Sequence, residues 1–252
     1  MIQPYNPYSL QSKVVLITGA SSGIGAETAV ECSKLGASVI ITGRNEARLD
    51  ETFSRLDRSF SQSHQLIIAD ISNQDELSRL VEQVPLLDGL VNNAGVNRVK
   101  PVAFLKQDDI DFVFQTNAFS QIILVQKLLK RKKLQKGASV VFTSSVSTFF
   151  NAPGRSLYAS SKAALTSFMR SCAIEFADRK IRANAVHPGM VETRLIKENL
   201  TEEELQDNLS EYPLKRFGKP EEVAWAIIYL LSDASAWVTG TSLTIDGGFM
   251  LK

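Results

Sequence analysis

The chain has few of the residues that build metal centres. Its 252 residues include two histidines, His64 and His187, and two cysteines, Cys32 and Cys172, all far apart in sequence. Structural zinc sites are typically built from closely spaced cysteines and histidines, and that spacing is missing here. We therefore expect no metal site, and the sparse cysteines favour a reduced, cytoplasmic setting.

An excess of one charge and a long apolar run are also missing. The 28 basic and 27 acidic side chains nearly cancel, which argues against a generally basic surface that binds nucleic acid. No apolar stretch reaches membrane-spanning length, and residues 1–13 lack the basic start and apolar run of a secretory signal. We expect neither a nucleic-acid partner nor a membrane partner.

One local excess of charge lies late in a predicted long helix. Cations there complement the helix dipole, and we favour this interpretation over a nucleic-acid patch because the remaining chain is charge-balanced. This basic cluster consists of Lys127, Lys130, Arg131, Lys132, Lys133 and Lys136.

Strand-like and helix-like segments alternate along the chain. Short apolar runs predict seven strands, at 14–17, 39–41, 66–68, 89–91, 140–142, 181–186 and 243–245. Helical patterns lie at 23–35, 45–56, 73–84, 109–134, 158–178, 201–209 and 220–231. This alternation predicts an α/β, doubly wound Rossmann fold, with a mostly parallel seven-stranded sheet and helices on both faces. Because no linker divides the chain, we predict one domain over residues 1–252.

The segment 189–219 breaks this alternation. It is rich in charge and directly follows the end of a predicted strand. Ligands in such folds bind beyond the C-terminal ends of the strands, so we favour a mobile lid over a merely solvated insertion.

A glycine-rich turn leaves the first strand and opens the first helix. Gly19 permits the tight turn, while Gly23 and Gly25 let the backbone approach a phosphate and the helix approach the sheet. Free N–H groups at the start of the helix suit a pyrophosphate. The GxxxGxG spacing differs from GxGxxG, but its place between strand and helix predicts dinucleotide binding.

The end of the second predicted strand bears on which dinucleotide binds. No carboxylate occurs there before Glu46, whereas Arg44 suits a 2′-phosphate. We therefore favour NADP(H) over NAD(H), the alternative being that Arg44 is an ordinary surface residue.

Tyr158 and Lys162 share one face of a predicted helix, because they are four residues apart. A free phenol has a pKa of about 10, and a neighbouring ammonium is expected to lower it. The pair would then exchange a proton with a carbonyl or alcohol oxygen near neutral pH. Such a pair alone also arises by chance, but Ser145 lies thirteen residues upstream at the end of a predicted strand.

Together these motifs resemble the short-chain dehydrogenase/reductase family over nearly the whole chain. The match includes the turn from Thr18 to Gly25 and three further segments, at 92–95, 188–193 and 246–248. The resemblance implies a catalytic group of Asn117, Ser145, Tyr158 and Lys162. It also implies that a nicotinamide cofactor is held by Gly19, Ser21, Ser22, Gly23, Ile24, Gly25, Arg44, Asp70, Ile71, Asn93, Ala94, Gly95, Tyr158, Lys162, Pro188, Gly189, Val191 and Thr193.

The family pattern implies a role for each catalytic residue. Ser145 would polarise a carbonyl, and Tyr158 would donate its proton to the developing alkoxide. Lys162 would lower the phenol pKa and hold the nicotinamide ribose, and Asn117 would position a water that resupplies the proton. As plainer alternatives, Ser145 ends a strand, Asn117 serves packing and Lys162 is solvated.

Further roles concern the cofactor. Asp70 would read the adenine or simply cap a helix, Asn93 would brace the sheet, and Val191 and Thr193 would meet the nicotinamide carboxamide. NADP-preferring relatives often place a basic residue before the second turn glycine. This chain has Ser22 there, which leaves Arg44 as the main phosphate candidate.

The implied reaction is reversible hydride transfer between the cofactor and a ketone or secondary alcohol. Residues 179–193 and 214–248 are similar to 3-oxoacyl-carrier-protein reductases, which favours a 3-oxoacyl thioester and a carrier protein docked at the basic cluster and Arg179. Sugar-alcohol, steroid and xenobiotic carbonyl reductases remain alternatives. A non-catalytic nucleotide sensor and a sugar-nucleotide epimerase are disfavoured, the first by the intact catalytic group and the second by the expected lack of a longer C-terminal substrate domain.

The substrate pocket is expected at Asn97, residues 147–151 and a lid around Leu195. Phe149 and Phe150 would give it an apolar wall, unless both belong to the core. Family members often assemble through their long helices, so we expect a homotetramer.

Overall fold

The computed structural model describes residues 5–193 and 209–251. Within them, all strands pair in parallel in one sheet of order β3-β2-β1-β4-β5-β6-β7. The strands are β1 Val14–Thr18, β2 Ser38–Gly43, β3 Gln65–Ile68, β4 Leu87–Asn92, β5 Leu134–Thr143, β6 Arg182–Pro188 and β7 Ser242–Ile245. This confirms the predicted Rossmann fold. The sheet was predicted to be mostly parallel, and all of its described strands are parallel.

The helices of the described residues cover both faces of the sheet. They are α1 Gly23–Lys34, α2 Glu46–Ser54, α3 Gln74–Gln83, α4 Gln107–Phe114, α5 Ser120–Lys130, α6 Ser156–Glu175 and α7 Pro220–Leu231. None of them combines the length and apolar character needed to span a bilayer. One core cluster packs side chains of α3, α5 and α6 on the sheet, and a second packs those of α1 and α7 on the opposite face.

Two helices, α2 and α3, begin where an asparagine side chain satisfies free backbone N–H groups. The Asn45 side chain accepts a hydrogen bond from the Arg48 N–H at the start of α2. Asn73 accepts from the N–H groups of Asp75 and Glu76 at the start of α3. Because Asn73 is the cap, Asp70 is not needed for that role.

The prediction of one continuous helix over 109–134 is wrong, because the helical segment is interrupted and ends earlier. The structure has α4, a π-helical turn over Gln115–Phe119, and then α5, which stops at Lys130. Lys132 adopts a left-handed conformation with φ of 54° and turns the chain into β5. Leu134 continues the apolar spacing, but it is the first residue of β5 and pairs with Leu87.

The basic cluster therefore does not lie on one helix. Lys127 and Lys130 occupy the last turn of α5, where they complement its dipole. Lys132 and Lys133 lie in the turn, and Lys136 lies on β5. The proposed dipole role thus holds for only part of the cluster.

Parallel pairing brings the C-terminal ends of the strands to one edge of the sheet. Thr18 ends β1, Asn92 ends β4, Thr143 ends β5 and Pro188 ends β6. The order β2-β1-β4 makes the chain leave β1 and β4 in opposite directions, which is where ligands bind in doubly wound sheets.

The segment 189–219 is described only at its two ends. Val191 pairs with Gly218, and the Gly218 N–H donates to the Met190 carbonyl at 3.0 Å. Residues 194–208, which contain Leu195 and nearly all of the predicted 201–209 helix, lie outside the described residues. The lid stays a prediction, as does the single domain.

Candidate active site

A cavity of about 420 Å³ opens at this edge of the sheet. Most of the predicted cofactor residues line it: Gly19, Ser21, Ser22, Gly23, Ile24, Arg44, Asp70, Ile71, Asn93, Ala94, Gly95, Tyr158, Lys162 and Thr193. Gly25, Pro188, Gly189 and Val191 do not line it, so a direct contact with cofactor stays a prediction for these four. The structure adds Thr42, Gly43, Arg48, Ala69, Val96, Thr116 and Thr143, which the sequence patterns did not single out.

The glycine turn needs glycine for steric reasons. Gly19 has φ of +64°, and a Cβ there would lie 2.7 Å from the Ala94 Cα. A Cβ on Gly25 would lie 2.4 Å from the Gly19 carbonyl oxygen. Gly25 therefore serves the close approach of α1 to the turn, which explains why it does not line the cavity.

The start of α1 suits an anion. Ser22 is extended at the cap position, its side chain makes no capping hydrogen bond, and the first turn has no acidic residue. The N–H groups and positive end of the helix dipole are thus left to a ligand. Thr193 lies beside this turn, because a Cβ on Gly23 would be 3.1 Å from its methyl carbon.

Thr18 and Asn93 join the ends of β1 and β4. The Thr18 hydroxyl accepts from the N–H groups of Asn93 at 3.0 Å and Ala94 at 3.1 Å. The Asn93 side-chain amide donates to the carbonyls of Thr18 and Gly19, both at 3.2 Å. The bracing role predicted for Asn93 agrees with these contacts.

Two arginines lie at the far end of the cavity. Arg44 is about half exposed, and its guanidinium is 3.5 Å from the Asp70 carboxylate. The Asp70 carboxylate also accepts from the N–H and hydroxyl of Ser72. Arg48 lies in the first turn of α2, four residues after Arg44, which precedes the helix. A second arginine so close to Arg44 was the signal by which the sequence could have revealed it.

Asn117 and Lys162 flank Gly95, a residue of the cavity wall. A Cβ on Gly95 would lie 3.3 Å from the Lys162 Nζ and 3.4 Å from the Asn117 Oδ1. The Asn117 side chain is fully buried: it accepts from the Val96 N–H at 2.7 Å and donates to the Val96 carbonyl and the Ser161 hydroxyl. It thus ties the 95–96 segment to α6, and its predicted water-positioning role stays a prediction.

The predicted lowering of the Tyr158 pKa by Lys162 is wrong for this structure. Burial raises the pKa of the Tyr158 phenol, and the nearby Ser145 hydroxyl and Arg155 charge lower it by less. Burial also lowers the pKa of Lys162 to about 8. The Lys162 Nζ lies 5.9 Å from the centre of the phenol ring and donates to the Thr143 carbonyl at 2.7 Å. Desolvation is therefore the largest influence on the pKa of both groups.

Ser145 follows β5 and is nearly buried. Its hydroxyl accepts from the Ser147 N–H at 3.1 Å and shares a 2.8 Å hydrogen bond with the Ser147 hydroxyl. The Ser145 hydroxyl is also within hydrogen-bonding reach of the Tyr158 phenol, although Ser145 is not among the residues that line the cavity.

Three of the side chains predicted to surround a substrate, Asn97, Phe149 and Phe150, lie among the described residues. Phe149 is 50% and Phe150 43% exposed, so they are not core residues. Phe150 packs edge-on against Phe249, with ring centres 5.2 Å apart. The Asn97 Oδ1 is buried with no hydrogen-bond partner among the described residues.

The two cysteines are buried free thiols. Within residues 5–193 and 209–251, no group of three or more histidine, cysteine, aspartate or glutamate side chains is arranged to hold a metal ion.

Comparisons with known proteins give consistent matches. The family model described as enoyl-(acyl carrier protein) reductase matches residues 19–250. A 3-oxoacyl-(acyl-carrier-protein) reductase FabG of Thermotoga maritima is 37% identical over 246 residues, covering 96% of this chain and 99% of the relative. A glucose and ribitol dehydrogenase homolog of Oryza sativa subsp. japonica is 31% identical, covering 100% of this chain and 91% of the relative.

A solved structure agrees with these matches. It is described as a short chain dehydrogenase/reductase family protein and superposes with a TM-score of 0.86 at 31% identity. The match covers 96% of this chain and 99% of that one.

The burial of Lys162 predicts a pH-dependent stability. Between pH 8 and about 10.4, the unfolded chain keeps the proton that the folded chain has released, so stability rises with pH. We expect the unfolding free energy of the wild type, minus that of Lys162→Met, to rise across this window by on the order of 3 kcal/mol. Urea unfolding from pH 7 to 10.5 measures it, and a flat difference would contradict the pKa assigned to Lys162.

Proposed function

The chain belongs to the short-chain dehydrogenase/reductase family and is an oxidoreductase, and we propose that it interconverts a ketone and a secondary alcohol using NADP(H). One observation carries this proposal. Tyr158 and Lys162 line the same cavity as the glycine turn, and Ser145 lies beside Tyr158. Tyr158, the proposed proton donor, and the predicted cofactor-binding turn thus line one cavity, which supports the proposal.

The cavity residues fit a dinucleotide. A Cβ at Gly19 would collide with the Ala94 backbone, and one at Gly25 would collide with the Gly19 carbonyl. The start of α1, which has no side-chain cap, lines the cavity. Together they would hold the pyrophosphate. Arg44 and Arg48 would hold a 2′-phosphate through charge-assisted hydrogen bonds, which supports NADP(H) over NAD(H). When bound, the nicotinamide supplies or accepts the hydride.

The remaining chemistry concerns the substrate oxygen. The Ser145 hydroxyl would donate a hydrogen bond to the carbonyl oxygen and stabilise the negative charge that develops on it. The Tyr158 hydroxyl would give its proton to that oxygen. Burial raises the Tyr158 pKa above that of an ordinary phenol, so the group is protonated at neutral pH and is a weaker acid than a free phenol. A positive charge nearby would strengthen it as an acid.

Lys162 would assist the proton transfer from Tyr158 without contacting the substrate. Its Nζ is held by the Thr143 carbonyl and lies next to Gly95 at the cavity wall. A cofactor ribose there would bring hydroxyl acceptors that favour the charged ammonium. The ammonium would in turn stabilise the phenolate left after proton transfer. Asn117 would keep this arrangement by fixing the 95–96 segment.

For the substrate we favour a 3-oxoacyl thioester. The similarity to a 3-oxoacyl-carrier-protein reductase over nearly the full length of both chains supports it. The likeness to a glucose and ribitol dehydrogenase homolog keeps a sugar alcohol as the second candidate. The half-exposed Phe149 and Phe150 favour the thioester, because an acyl chain is apolar.

The predicted docking of a carrier protein at the basic cluster does not fit the geometry of one chain. The cluster surrounds the start of β5, whereas the cavity lies at its end. The ten residues of β5 separate them by roughly 30 Å. The Arg179 guanidinium, moreover, donates to the Leu134 carbonyl at 2.6 Å, which gives it a structural role.

Replacing Tyr158 by phenylalanine tests the proton donor. Tyr158→Phe should lower kcat by about 10²–10⁴-fold and leave cofactor affinity nearly unchanged, since only the acid is lost. Tyr229→Phe on α7 serves as the matched control and should keep full activity. Steady-state reduction of a ketone, with cofactor binding followed by fluorescence, measures both. Full turnover by Tyr158→Phe would rule out this acid.

Replacing Arg44 tests the cofactor assignment. The wild type should prefer NADPH to NADH, and Arg44→Ala should weaken NADPH binding by about 10–100-fold while sparing NADH, because a charge-assisted hydrogen bond is lost. Arg79→Ala, at an exposed position of α3, is the control. Isothermal titration with both cofactors measures the effect. A wild type that prefers NADH would contradict the assignment.

A substrate panel tests the thioester. We expect kcat/KM for an acetoacetyl thioester to exceed that for simple ketones and for sugar alcohols by at least about tenfold, because the acyl chain adds apolar contact. The decisive comparison uses one enzyme preparation and one cofactor. Faster oxidation of a sugar alcohol would favour the second candidate instead.

A further inference from the structure

His187 is fully buried on β6, directly before Pro188, and the chemistry proposed above gives it no role. Its Nδ1 lies 3.0 Å from the Ser145 carbonyl oxygen and 3.1 Å from the Thr148 hydroxyl. The only other histidine of the chain, His64, contacts Val39 and Asp57 instead. His187 is therefore the imidazole that touches the backbone of the predicted oxyanion donor.

The contacts define the tautomer of His187. A carbonyl oxygen is an acceptor only, so the hydrogen must be on Nδ1 for the contact with Ser145 to be a hydrogen bond. Nε2 then carries no hydrogen, and it has no hydrogen-bond partner among the described residues. Burial lowers the pKa of His187, which keeps this neutral form. A buried polar atom left without a partner is costly, so the unpaired Nε2 contributes nothing to stability. The hydrogen bond made by Nδ1 is therefore the polar contact that a histidine provides at this position.

The Ser145 carbonyl receives an unusual number of donors. Besides the imidazole, the Thr148 hydroxyl donates to it at 2.9 Å and the Thr148 N–H lies 3.2 Å away. The hydroxyl of the same serine is held by Ser147. Both the backbone and the side chain of Ser145 are thus fixed, at the position that caps a 3₁₀ turn over Val146–Thr148 directly after β5.

The imidazole also supports the residue beside the substrate region. The Phe149 ring packs on it with ring centres 4.8 Å apart and planes inclined by 31°. Phe149 is half exposed, so the imidazole covers only part of its surface. One buried side chain thus contacts both the turn of Ser145 and the aromatic wall next to it.

We propose that His187 is a positioning residue that holds the Ser145 hydroxyl in the geometry needed to polarise a substrate carbonyl. It acts through the Nδ1–H bond to the Ser145 carbonyl and through its support of Phe149. The inference rests on the proposed ketone–alcohol chemistry, because it assigns a partner to the donor in that reaction. Small displacements of a reacting group cost large factors in rate, so loss of this bond affects kcat more than binding.

Two substitutions at one position separate the hydrogen bond from packing. His187→Leu removes the donor, and His187→Asn keeps a side-chain N–H near the place of Nδ1. We expect His187→Leu to lower kcat by about ten- to a hundredfold with little change in cofactor affinity, and His187→Asn to recover most of that loss. His64→Leu, which removes a half-buried histidine far from Ser145, is the control for general destabilisation and should keep kcat.

A double-mutant cycle with Ser145→Ala tests the mechanism of the effect. If His187 acts through the serine hydroxyl, His187→Leu should cost little further in the Ser145→Ala background, so the two losses are strongly non-additive. A purely structural role would cost the same factor in both backgrounds and would overturn the inference. Thr148→Val removes a second donor to the same carbonyl and should lower kcat in the same direction, which keeps the test decisive if His187→Leu does not fold.

The outcomes distinguish this inference from the function on which it rests. A wild type that turns over no ketone or alcohol would overturn the proposed function and the role of His187 with it. An active wild type whose His187→Leu and Thr148→Val variants keep full kcat would overturn the role of His187 alone.

Discussion

The hydrogen-bonded junction between β1 and β4 is the constraint on which the rest of the site depends. Thr18 and Asn93 join the glycine turn to the 93–96 segment through four hydrogen bonds of 3.0–3.2 Å. That segment is in turn tied to α6 by Asn117. The proposed phosphate-binding end of the cavity and the residues proposed for proton transfer are thus parts of one rigid unit, which suits a reaction that requires preorganised groups.

The same rigidity has an electrostatic consequence. Burial of Lys162 and partial burial of Tyr158 disfavour the charged form of each, which lowers the pKa of Lys162 and raises that of Tyr158. Without ligand the site therefore favours the neutral phenol. The tuning expected between ammonium and phenol needs further polar partners near Lys162, and a bound ribose is the partner we propose.

The sequence predicted much of the fold and most of a set of residues that the fold gathers around one cavity. Regular spacing of apolar runs is enough for a parallel sheet, and Tyr158, Lys162 and the glycines were found because chemistry restricts those positions tightly. The end of α5 was missed because Leu134 continues a helical pattern from within a strand. The Arg44–Asp70 pair and the His187 contacts were missed because they join residues that only the fold brings together.

A crystal structure of the protein with NADP⁺ tests the central claim most directly. The account predicts the pyrophosphate against the turn from Gly19 to Gly25, and the nicotinamide ring beside the Tyr158 and Ser145 hydroxyls, with the ribose near Lys162. A cofactor bound elsewhere, or a Tyr158 hydroxyl directed away from the nicotinamide ring, would contradict it.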